Sequence, residues 1–147
     1  MSQDLERFLA DSRAFDGIPA SDLRELALRL EKNRHVVKQG EAVFLRGDRA
    51  DRAWIVRSGD LLIQVKGLRH PFRHIEYEAG TVIALQGLLD PGSPHQIAII
   101  AESDALLYDL TPDIVALLSP TSQGLFWKNI AGFLIKRLAH LRAILDE

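Results

Sequence analysis

Hydrophobic positions change their period twice along this chain. Leu5, Phe8 and Leu9 recur at helical spacing, and Leu23, Leu26, Ala27 and Leu30 repeat it with Arg24, Glu25, Arg29 and Lys32 on the opposite face. The pattern predicts two short amphipathic helices. The first stops near Ser12 to Ala14, and Phe15-Asp16-Gly17-Ile18-Pro19 turns the chain into the second, which Ser21 or Asp22 is expected to cap, with Glu25 completing a capping box. From about Asn33 the period falls to two. Runs at His35 to Val37, Ala42 to Leu45, Ala53 to Arg57, Leu61 to Val65 and Arg73 to Tyr77 are separated by glycine-containing turns and read as strands of an antiparallel barrel or sandwich. Ser58-Gly59-Asp60, between two of them, reads as a hairpin turn.

The stretch from Glu78 to Leu110 is the least regular. A glycine turn at Gly80 leads into Val82 to Leu85, a helical turn at Gln86 to Leu89, and a loop of breakers, Asp90-Pro91-Gly92-Ser93-Pro94. Two strand-like runs follow, Gln96 to Ala101 and Ala105 to Leu110. Backbone amides at the start of a helical turn favour anions, so the middle of this stretch is the expected ligand site.

The helical period then returns. Thr111 and Pro112 form a helix-start signal for a short helix carrying Ile114, Val115, Leu117 and Leu118, which Ser119-Pro120 ends. A final helix is expected from Thr121 or Ser122 to Leu145. Trp127, Leu134 and Leu141 form one heptad series and Ala131, Leu138 and Leu145 a second, with Phe126, Ile130, Phe133 and Ile144 widening the apolar surface. One face is expected on the chain's own domain and the seam on a second copy, which predicts a homodimer through this helix. The alternative is a long helix folded wholly onto its own domain.

Composition narrows the picture. The chain has 147 residues, 47% hydrophobic and 26% charged, and reads as one domain: helices over 1–32, a β-region over 33–110 and C-terminal helices over 111–147. A net charge of −2 supplies no general attraction to nucleic acid, and the basic groups of the last helix, Lys128, Lys136, Arg137, His140 and Arg142, are too sparse for DNA binding by this chain alone. Without cysteine there is no disulfide, thiolate or Cys-based metal chemistry. The start, Met1-Ser2-Gln3-Asp4, is polar and no apolar run nears the ~18 residues of a membrane span, so the expected location is the cytoplasm, away from membranes.

In this order the pieces resemble the cyclic-nucleotide-binding domain family, the sensor module of catabolite-activator-type transcription factors and of cyclic-nucleotide-regulated kinases and channels. The similar pieces are Phe15-Asp16-Gly17-Ile18-Pro19 with Leu23 and Leu26, Gly40 to Asp48, Ala53-Trp54-Ile55-Val56-Arg57-Ser58-Gly59, and Ala98 to Leu107. The resemblance implies a mainly β fold with flanking α: an antiparallel β-roll or jelly roll with two N-terminal helices, a short cassette helix and a long C-terminal helix. It also implies a non-enzymatic regulatory or sensor domain with no required cofactor.

The binding cassette departs from the family pattern of Phe-Gly-Glu-Leu/Met-Ala-Leu-Leu, a loop, then Pro-Arg-Ser/Thr-Ala. Ile83 stands for the Phe, Ala84 for the Gly, Leu85 for the Glu, Gln86 for Leu/Met and Gly87 for Ala, while Leu88 and Leu89 are kept. Beyond the loop Pro94 is kept, His95 stands for the Arg, Gln96 for Ser/Thr and Ile97 for Ala. The family's Glu accepts from the ribose 2′-hydroxyl and its Arg pairs with the cyclic phosphate. Leu85 can do neither, and His95 is a weaker partner. Two lost charge-assisted contacts weaken affinity by roughly two to four decades. Ordinary cyclic nucleotide binding is therefore not expected, and a different ligand, a small anionic or nucleotide species, or an empty cavity filled by Leu85 are both open; a ligand would be held by the amides and side chains of Ala84, Leu85, Gln86, Gly87, Leu88, Leu89, His95 and Gln96, with Val65, Tyr77 and Val82 as walls. The alternatives are a ligand-free interaction protein, with a protein partner or a second copy on the helix seam, and a genuine cyclic AMP or cyclic GMP sensor. Whether Leu85 plugs the pocket separates the ligand-free reading from the ligand-binding ones.

Two other constellations are weaker. His70 and His74 share a strand face near Glu76, as metal ligands of a cupin-like enzyme would, but the closer His pair and third His of that pattern are absent, so a solvated hairpin with Lys66, Arg69 and Arg73 is preferred and no metal is expected. Asp48, Asp51 and Asp60 with Arg46, Arg49 and Arg52 read as solvated turn residues. No Ser-His-Asp order or glycine-rich phosphate loop occurs.

Overall fold

A computed structural model describes residues 2–64, 72–75 and 78–145. Val65, Lys66, Arg69, His70, Glu76 and Tyr77 lie outside the described residues, and with them two expected pocket walls and half of the metal reading. Two helices open the chain, α1 (Ser2–Ala10) and α2 (Ala20–Glu31), joined by a single 3₁₀ turn at Arg13–Phe15. Eight strands follow among the described residues: β1 (Arg34–Val37), β2 (Ala42–Phe44), β3 (Ala53–Ser58), β4 (Leu61–Gln64), β5 (Phe72–Ile75), β6 (Val82–Ile83), β7 (Ala98–Ala101) and β8 (Ala105–Leu110). The cassette turn α3 (Gln86–Leu89) lies between β6 and β7, and α4 (Pro112–Val115) and α5 (Pro120–Leu145) end the chain.

The strands form two antiparallel four-stranded sheets, ordered β1-β8-β3-β6 and β2-β7-β4-β5. This is the jelly roll expected. Trp54 and Val56 of β3 face between the sheets, into a core with Val37, Phe44, Leu61, Ile83, Ile99 and Leu107. Ala53 and Ile55 face the helices, against Leu9, Phe15, Leu26, Leu30 and Phe126. Burial on both faces is why β3 reads as an unbroken apolar run rather than an alternating one.

Three local expectations are corrected. Ser58-Gly59-Asp60 is not a hairpin, because β3 pairs with β6 and β8 while β4 pairs with β5 and β7; the turn carries the chain from one sheet to the other. Its glycine is required there, since a Cβ on Gly59 would lie 2.5 Å from Ala105 Cα. Neither Ser21 nor Asp22 caps α2, whose cap position is Pro19 with no side-chain bond. The Asp22 carboxylate instead accepts from the Ser119 hydroxyl (2.8 Å) and the Ser122 hydroxyl, tying α2 to the start of α5. That helix begins at Pro120, slightly earlier than expected. Thr111 does cap α4, its hydroxyl accepting from the Ile114 amide.

The long helix is seated at its beginning and released further on. Phe126 stacks against Phe15 with ring centres 5.6 Å apart, Trp127 meets Phe126 edge-on, and Asn129 Nδ2 donates to the carbonyls of Ala14 (3.1 Å) and Asp16 (3.0 Å). Past Ile130 the described side chains open to solvent, except that Phe133 and Arg137 stay half-buried. Among the described residues no helix is long and apolar enough to cross a membrane.

Candidate functional site

The cassette is seated by backbone contacts with little tolerance. Ala84 holds φ +60°, the left-handed region that favours glycine, so the chain can leave β6 and enter α3 in one step. Gly87 is buried against the start of β3, and a Cβ there would lie 2.2 Å from the Arg52 carbonyl oxygen. The following loop is laced to the turn after β2: the Ala50 amide donates to the Ser93 carbonyl, the His95 amide to Asp48, and Gly47 to His95. Gln86 Nε2 donates to Ser93 Oγ (2.6 Å) and to the Pro94 carbonyl (2.8 Å), closing the cassette on itself.

These contacts frame a cavity of about 380 Å³ in the roll. Its walls are Phe44, Ile63, Ile83 and Ile99 from the strands, with Ala84, Leu85, Gln86, His95, Gln96 and Ile97 from the cassette and its following loop and Phe133, Leu134 and Arg137 from α5. Leu85 does not plug it. Leu85 lines the cavity while packing against the helical core, as Leu88 does.

The predicted site residues separate into three groups. Ala84, Leu85, Gln86, His95 and Gln96 line the cavity, as does the predicted wall Val82. Gly87, Leu88 and Leu89 do not line it, and their amides are taken by the carbonyls of Ala84 and Leu85, so the turn offers an anion fewer donors than expected. Of the predicted dimer helix, Trp127 packs partly on its own domain, whereas Ala131, Leu134 and Leu138 are exposed. Leu141 and Leu145 lie on α5, with side chains outside the described residues.

His95 is buried and does not reach out as a free donor. Its ring stacks on Phe44 with centres 3.8 Å apart, and Phe44 stacks on Trp54 at 5.6 Å. Burial holds the imidazole below its usual pKa, with the carboxylates of Asp48 and Asp51 pulling weakly the other way. Behind these rings lies a second, polar cavity of about 260 Å³, lined by His35, Asp48, Arg49, Asp51, Arg52 and Asp109. Arg52 donates to both carboxylate oxygens of the exposed Asp51 and to Asp109 Oδ2 (2.8 Å), so the solvated charged turn is also tied to β8. The Asp51 carboxyl is held below the usual range by that bond. Trp54 Nε1 and Asp109 Oδ1 are buried there with no hydrogen-bond partner among the described residues, in a cavity roomy enough for water to serve both. Among the described residues, no group of three or more His, Asp or Glu is placed to hold a metal; His74 sits on β5 opposite Leu62.

Sequence reasoning missed the strand walls and Arg137. Isoleucines of a strand look alike whether they face a core or a cavity. Arg137 had a legible signal: it falls on the stripe of Phe126, Ile130 and Phe133, at helical spacing, where an apolar residue would be expected.

Solved structures share this architecture. The Thermus thermophilus catabolite activator protein aligns at 26% identity with a TM-score of 0.70, over 92% of this chain and 62% of its own. A cyclic nucleotide-binding domain from Methylobacillus flagellatus aligns at 15% identity and TM-score 0.75, over 95% of this chain and 79% of that one. The sensor domain of the transcriptional regulator DNR from Pseudomonas aeruginosa aligns at 15% identity and TM-score 0.65, over 99% and 94%. No protein-family model matches the chain, and no curated protein sequence does. The fold is that of the cyclic-nucleotide-binding type of regulatory and sensor domain. The chain spans about three-fifths of the Thermus activator's length.

Proposed function

We propose that this chain is a non-enzymatic regulatory module whose roll cavity takes a small molecule other than an ordinary cyclic nucleotide. The observation that carries the reading is the open cavity of about 380 Å³ in contact with α5. It has a size typical of ligand sites and mainly apolar walls. Leu85 and His95 stand where a nucleotide site needs a carboxylate and a guanidinium. A ligand touching both the strands and α5 would favour one placement of the helix, which is how occupancy becomes a signal. Output runs through α5: the exposed Leu134, Ile135 and Leu138 form an apolar stripe suited to a second copy of the chain. The module acts in the cytoplasm and does not read DNA by itself.

Thermal unfolding against cyclic AMP, cyclic GMP, cyclic dinucleotides and a panel of apolar small molecules tests the reading. A ligand at about 100 times its dissociation constant adds about 2.7 kcal/mol, a shift of several degrees. The reading expects flat curves with the cyclic nucleotides and a shift with a member of the apolar panel. A strong shift with cyclic AMP would restore a conventional nucleotide sensor. Flat curves throughout would favour a ligand-free assembly protein.

A further inference from the structure

We infer that the polar cavity behind the Phe44 and His95 rings binds a small polyol, such as a sugar ring, through one hydroxyl shared by Trp54 and Asp109. The site is separate from that of the roll cavity and stands on its own observations. Trp54 and Asp109 are directly opposed on β3 and β8, so their side chains leave the same face of the sheet side by side, and both line this cavity. Trp54 is only 6% exposed, yet its Nε1–H has no acceptor among the described residues. Asp109 Oδ1 has no donor among them, His35 Nδ1 standing 3.7 Å away, beyond hydrogen-bonding reach. Two buried polar atoms of opposite kind, left open in one cavity, point to an occupant that satisfies both.

The unmet pair selects the chemistry of the occupant. An ammonium only donates and leaves Trp54 Nε1 unmatched; an ether or a carboxylate only accepts and leaves Asp109 Oδ1 unmatched. A hydroxyl does both, accepting from the indole and donating to the carboxylate. Charge also disfavours an anion. The carboxylates of Asp48, Asp51 and Asp109 face the guanidiniums of Arg49 and Arg52, and Arg52 is engaged by Asp51 and Asp109. At about 260 Å³ the cavity holds far more than one water, and its exposed rim of Asp48, Arg49 and Asp51 leaves it open to solvent. Val43, Phe44 and Trp54 give it an apolar side for the C–H face of a ring, and Asp48 and Arg49 meet further hydroxyls at the rim.

Proton–nitrogen NMR of the whole chain tests this, because its two tryptophans give two indole N–H signals, and contact with the Phe44 ring identifies that of Trp54. The probes are ribose and myo-inositol, with tetrahydropyran as an acceptor-only ring and ethylammonium as a donor-only cation. At least one polyol is expected to shift the Trp54 signal saturably and leave that of Trp127 in place, and neither control should do so. Trp54→Phe keeps a stacked ring without the N–H, and Asp109→Asn removes the carboxylate charge. Each variant, once its melt shows it folded, should weaken polyol binding about tenfold in ligand-observed saturation transfer. No saturable shift with either polyol overturns the assignment and leaves the cavity to water. An equal shift with tetrahydropyran or ethylammonium, or polyol binding undiminished in a folded variant, overturns it as well.

Discussion

Ala84 and His95 show how single residues set this site. At φ +60°, alanine carries a left-handed conformation that costs about 1–2 kcal/mol relative to the usual region, partly offset in a glycine variant by greater freedom of the unfolded chain. Ala84→Gly is therefore expected to leave stability unchanged or raise it by up to about 1 kcal/mol, read in a thermal or denaturant melt. His95 gives a pH dependence of definite sign. Its folded pKa lies below the unfolded value of about 6.5, so the unfolded chain binds the proton more readily. Stability is complete above about pH 6.5 and falls as the pH drops toward the folded value. Melts taken from pH 8 to 5 should show this slope in the wild type, and His95→Phe, which keeps the stack on Phe44, should flatten it. A variant slope equal to the wild-type slope would assign the titration elsewhere.

Between elements, the seating of α3 on β3 and the anchoring of α5 on α2 hold the cavity in shape. Gly87→Ala drives a Cβ into the Arg52 backbone at 2.2 Å, where no flexible side-chain end can give way. A loss of more than about 2 kcal/mol is expected, measurable by urea unfolding. Asp22 accepts from Ser119 and Ser122, which lowers its pKa, so the contact adds stability above the ordinary carboxylate value of about 3.9 and loses it as the pH falls below. Acid unfolding of Asp22→Asn should show a shallower slope below pH 4 than the wild type. These contacts also mark what was readable in the sequence. Period alone located α1, α2, α4, α5 and the apolar strands, because each buries a regular face. Pairing was not readable at Ser58-Gly59-Asp60, since a turn says that the chain reverses and not which strand it will meet. Asp22 read as a cap because its real partners lie almost a hundred residues on, at Ser119 and Ser122. In the site, the resemblance pointed to the cassette stretch that frames the cavity, whereas Phe44, Ile63 and Ile99 were not legible, because an apolar side chain carries no sign of what it faces.

For the whole molecule, α5 joins two surfaces on one rod. Phe126, Ile130, Phe133 and Arg137 look toward the domain, Ile135 and Leu138 look away, and Leu134 sits between them at the cavity's edge, each of these last three at least 43% exposed. The outer stripe is what the dimer proposal rests on. Leu134→Glu with Leu138→Glu is expected to convert a dimer into a monomer in light scattering, with a melt otherwise close to that of the wild-type monomer, since neither side chain is in the buried core. A wild-type chain that is monomeric at high micromolar concentration would remove the seam from the account. The cavity carries the central proposal, that this roll takes a ligand other than an ordinary cyclic nucleotide because Leu85 and His95 stand at the two cassette positions the resemblance assigns to a carboxylate and a guanidinium. Calorimetric titration of cyclic AMP into the wild-type chain tests that claim most directly. The account predicts no saturable heat below about 1 mM ligand, as expected when contacts worth several kcal/mol are missing. A one-to-one isotherm with a micromolar dissociation constant would contradict it, and Leu85 and His95 would then have to bind the nucleotide by some other geometry.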